Sequence, residues 1–98
     1  MSEDANQIEI PQSFIALFVE PGRQKPSASR EVVAKRYELC EDLANMMTES
    51  AANMVNRLDC SEREVLERCQ LGLTGDEAVV SEAEAKWVIR RLAELLKW

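Results

Sequence analysis

The chain has 98 residues, 46% hydrophobic and 31% charged, with a net charge of −6, three cysteines and no histidine. That balance suits one soluble domain able to fold on its own core, and the acidic net charge works against general binding to a phosphate backbone. Without histidine and without a CxxC pair the close ligand spacing of a structural zinc site is missing, so no metal or cofactor is expected.

Residues 1–7 are polar and are expected to form a disordered tail, leaving 8–98 as a single helical domain. The start Met1-Ser2-Glu3-Asp4 is acidic where a secretory leader needs basic residues. The longest apolar run, Phe14 to Val19, is far short of a membrane span. A cytoplasmic location and no membrane contact are expected.

Ile10, Phe14, Leu17 and Phe18 recur at helical spacing behind Pro11, which suits a first helical turn because its missing N–H would have no partner there. This predicts a short helix over 11–19, with a strand as the alternative, ending before the turn signal Pro21-Gly22. Its phenylalanines are expected to cover one facet of the helix that follows. Residues 21–29 form a basic surface loop carrying Arg23 and Lys25, and Ser29 is placed to cap the next helix.

Val33, Tyr37, Cys40, Ala44, Met47, Ala51, Met54 and Leu58 alternate steps of four and three, the seam of a long helix predicted over 30–57. A second facet, Val32, Leu39, Leu43 and Met46, makes the apolar surface too wide for one neighbour. Ser61 with Glu64 and Ser81 with Glu84 are two capping-box signatures, each preceded by an apolar residue, Cys60 or Val80, in the hydrophobic-staple position. They predict helices over 62–72, stopped by Gly72 and Gly75 as left-handed caps, and over 82–97, burying Ala85, Val88, Ile89, Leu92, Leu95 and Leu96. The expected fold is all-α: a small bundle of one short N-terminal helix, one long central helix and two shorter C-terminal helices.

No pattern of nucleophile and base points to catalysis. The acidic clusters fit helix starts and solvated faces, and Gly72 to Gly75 has neither the spacing nor the Lys of a phosphate loop. At about 100° per residue, Trp87 and Trp98 stand roughly 120° or more from a buried face centred on Leu92. With Arg91 and Glu94 between them they read in one of two ways: as rings that pack beneath the N-terminal segment or shield the rim of a small core, or as a contact surface for another chain, since Trp and Arg dominate interface centres. Arg23 and Lys25 add an electrostatic dock for an acidic segment of a partner. The primary expectation is therefore a protein–protein interaction module with an unidentified protein partner, and self-association into a homo-oligomer is a further use of the wide helix surface.

Two alternatives belong to other classes. Cys40 and Cys69 fall on apolar faces, but Cys60 sits beside a helix start whose dipole favours a thiolate, the basis for a thiol redox sensor or small enzyme. The basic 23–36 segment, with no aromatic before Tyr37, supports at most weak nucleic-acid binding.

The stretches Ile10-Pro11 through Phe18-Val19-Glu20-Pro21-Gly22-Arg23, Arg36-Tyr37-Glu38-Leu39-Cys40-Glu41-Asp42-Leu43-Ala44 and Ser81-Glu82-Ala83-Glu84-Ala85-Lys86-Trp87-Val88 to Trp98 resemble a small family of bacterial proteins of about this length. Some of its members carry an automatic label of ATPase with chaperone activity. The resemblance brings no functional residues to transfer, and this chain has no nucleotide-binding motif. What it implies is association with a larger ATPase or chaperone as an adaptor or regulator.

Overall fold

A computed structural model describes residues 9–98; the tail expected over 1–7 lies outside the described residues. Helix α1 spans Gln12–Ile15 and tightens into a 3-10 turn, Ala16–Phe18; α2 spans Arg30–Leu58, α3 Glu62–Leu73 and α4 Glu82–Leu96. Among the described residues there is no strand, so the fold is the expected all-α bundle with a short first helix and a long second. Two compact units are distinguished, one ending at Leu39 and the other running from Cys40 to Trp98, with the boundary inside α2.

In the first unit Pro11 stands just before α1, and its carbonyl accepts the N–H groups of Phe14 and Ile15 at 3.0 and 3.1 Å. The short helix turns the Phe14 ring inward, where it is fully buried. Its centroid lies 5.5 Å from that of Phe18 and 5.5 Å, edge-on, from that of Tyr37 on α2. Phe14 thus meets the long helix at Tyr37, and Phe18 packs on Phe14. Val19 is extended, and Pro21-Gly22 forms a tight turn in which Arg23 N–H donates to the Glu20 carbonyl at 3.0 Å. Gly22 has φ +81 there, a conformation that suits a residue without Cβ. The loop is tied back by Ser27, whose N–H and hydroxyl both donate to the Phe18 carbonyl, at 2.7 and 3.0 Å. Ser29 then caps α2, its Oγ accepting from Val32 N–H at 3.2 Å.

Along α2 the seam is buried at Val33, Cys40, Ala44 and Ala51 and half-buried at Tyr37, Met47 and Met54. It runs out at Leu58, which is 63% exposed because the helix ends there, at Asp59 with φ 54. The second facet is only partly covered. Leu39 and Leu43 are half-buried, whereas Val32 and Met46 are exposed.

In the second unit both capping boxes form completely. The Ser61 and Ser81 hydroxyls each accept from the backbone N–H three residues on, at 3.1 Å. The Glu64 and Glu84 carboxylates accept in return from the Ser61 and Ser81 N–H groups at 3.2 and 2.8 Å. The two differ in burial: Glu84 is 4% exposed and Val80 is buried beside it, whereas Ser61 and Glu64 lie in solvent. Water replaces a lost bond poorly where it cannot reach. Ser81→Ala is accordingly expected to cost about 1.5 kcal/mol and Ser61→Ala about 0.5 kcal/mol, read as the difference between their urea midpoints. Equal costs would show that burial of the box does not matter.

Glycine does not end α3. Gly72 is inside the helix, which stops at Leu73, and the Thr74 hydroxyl donates to the Gln70 and Leu71 carbonyls at 3.1 and 3.5 Å. The left-handed ends belong to Asp59 and Lys97 instead. At the end of α4, Lys97 has φ 60 and ψ 42, Lys97 N–H donates to the Glu94 carbonyl at 3.2 Å, and Trp98 N–H reaches back to Ala93 at 2.9 Å. This is a Schellman termination built without glycine. Helices α3 and α4 pack against each other, and Ala51, Val65, Cys69 and Leu92 form a core to which α2, α3 and α4 all contribute.

Candidate interaction surface

The two indoles do not form the exposed line that angular spacing predicts. Trp87 is 7% exposed. The first half of α4 is buried across two facets, Ala85, Val88 and Leu92 on one and Glu84 and Trp87 on the other, so a single buried face centred on Leu92 understates its covered arc. Trp98 is half-buried and packs on the core of Ala51, Val65, Cys69 and Leu92. Helical angle fails for Trp98 because the left-handed Lys97 takes the chain out of the helix before the ring is placed.

Arg91, one turn beyond Trp87, has a structural task. Its Nε and Nη2 donate to the two oxygens of Glu41 on α2 at 2.9 and 3.0 Å, and its Nη1 donates to Glu94 at 3.1 Å. A planar guanidinium meeting a carboxylate through two parallel bonds is a geometry lysine cannot reproduce. The Arg91 hydrogen bond is the largest influence on Glu41 and, with the Arg91 charge and a bond from Asn45, holds its carboxyl below the ordinary value of 4.5 against the opposing effect of burial. The same pairing holds Arg91 more firmly protonated.

A depressed carboxyl contributes stability above its unfolded pKa and loses it as pH falls through the folded one. Glu41→Gln is therefore expected to lower stability by about 1 kcal/mol at pH 7, the partly exposed setting keeping the effect small. The gap from wild type should close well below pH 4.5, in urea unfolding at pH 7 and at pH 3. A gap unchanged at pH 3 would show that Glu41 acts through packing instead.

Arg23 and Lys25 both lie on the exposed loop of the first unit. Arg23 faces Glu20 at 3.8 Å, an ion pair exposed enough to be worth little. In the same unit Ile10, Ile15, Pro26, Ala28 and Val33, with Arg30, line an apolar cleft of about 200 Å³. That is smaller than the usual range of small-molecule sites.

Cys40 and Cys69 are buried, and burial pushes the Cys69 thiol up. Cys60 is half-buried, its Sγ 3.9 Å from the Leu58 carbonyl, and packs on the edge of the same core as Val65, in keeping with its place in the staple. Iodoacetamide at neutral pH is expected to add a single carbamidomethyl group to the native protein, at Cys60. Cys40 and Cys69 should react only in denaturant, as peptide mass spectrometry would show. Native labelling of all three would contradict the burial. Labelling of Cys60 faster than a free thiol would instead favour the redox reading.

The candidate surface that angular reasoning misses is the border of the core in the second unit. Four buried residues, Ala51, Val65, Cys69 and Leu92, are bordered by partly exposed apolar side chains that include Met47, Met54, Val55, Leu66, Leu96 and Trp98. Beyond that border, Met46 and Leu71 are 74% and 73% exposed. The signal for this border is in the sequence, in methionine at two seam positions of α2, Met47 and Met54, but which edges stay open depends on where α3 and α4 lie. Among the described residues no helix is long and apolar enough to cross a membrane. Comparison of the chain with protein-family models, curated proteins and solved structures finds no match.

Proposed function

We propose that this chain is a non-catalytic, cytoplasmic interaction module that docks a protein partner on the open border of the Cys40–Trp98 core. The observation that carries this reading is the apolar rim of one part of that core: Ala51, Val65, Cys69 and Leu92 are packed round by partly buried side chains that include Met47, Met54, Leu66 and Trp98. Apolar surface left open to solvent is a mark of interaction sites, and methionine suits one because a flexible thioether adapts to more than one partner shape. Trp87 and Arg91 leave this surface, since one is buried and the other is engaged with Glu41. Trp98, Leu96, Leu66, Met54 and Val55 take their place. A role as adaptor or regulator of a larger chaperone or ATPase is the use of the module that the sequence resemblance implies.

The test compares wild type with Leu66→Glu, packed on the core, and Met46→Glu, exposed and not packed on it. Each bait is first checked for native helicity by circular dichroism, then used for affinity capture from the native host with quantitative mass spectrometry. Loss of a captured protein with Leu66→Glu but not with Met46→Glu supports docking at the border. Identical capture by all three folded baits overturns it. Sedimentation at micromolar concentration identifies a second copy of the chain as the partner if wild type dimerises and Leu66→Glu does not.

A further inference from the structure

We draw no further inference here: the strongest candidate, the apolar cleft of the first unit lined by Ile10, Ile15, Pro26, Ala28 and Val33 with Arg30, carries nothing because nothing in the structure shows what covers it.

Discussion

Phe14→Ala is expected to cost about 3 kcal/mol and to release the segment around α1 from the first turns of α2. The phenyl ring is fully buried and is the one large side chain of α1 that is sealed from water. Truncating a buried phenylalanine loses its transfer free energy and leaves a cavity, together roughly 3–5 kcal/mol. The edge-on contact with Tyr37 and the tilted contact with Phe18 are among the interactions that this truncation removes.

The α1 segment is short and is otherwise held by a few turn hydrogen bonds, so the loss should appear first as local opening. Trypsin cleavage after Arg23 is the readout, since Lys25 is followed by Pro26 and its bond resists trypsin. Arg23 is already exposed, so cleavage there is limited by how often the loop leaves its Ser27-to-Phe18 closure. The expected result is a rate increase of tenfold or more for Phe14→Ala and a small one for Phe14→Leu, which keeps most of the volume. An unchanged rate would show that Phe14 does not anchor the segment.

Leu92→Ala is expected to lower the stability of the second unit by about 3 kcal/mol. Leu92 is the largest member of the Ala51, Val65, Cys69 and Leu92 core and has no exposed surface. Two of its three core neighbours are small, so little side chain is available to collapse into the space, and the cost should sit in the middle of the roughly 2–5 kcal/mol range. At about 4–8 °C per kcal/mol for a domain of this size, thermal unfolding should fall by roughly 15 °C.

Leu71→Ala is the internal contrast. The residue type is the same, but Leu71 is 73% exposed, and a change within about 0.5 kcal/mol is expected. Calorimetry on both variants decides the matter. Equal shifts would mean that the core does not lie where Leu92 is buried.

The helices and most of their boundaries are legible in the order of residues alone. The capping boxes at Ser61 and Ser81 close their reciprocal bonds within four residues, and the seam from Val33 to Met54 needs only helical periodicity to share one face. Such local signals do not depend on what surrounds them. The stop signals were less legible: Gly72 and Gly75 suggested left-handed caps, yet Asp59 and Lys97 take that conformation, since a glycine permits positive φ without requiring it.

Which faces are covered and which side chains meet follows from how the helices pack. A helical wheel assumes one buried side, whereas the first half of α4 is buried on two, and this turns Trp87 from an expected contact residue into an interior one. Trp98 lies past a left-handed residue and so outside the wheel altogether. The Arg91 fork joins residues 50 apart in the chain, a pairing no local spacing encodes. Periodicity states that a side chain wants cover; whether a neighbour or water meets it is set by the approach of another helix, a property of the whole fold.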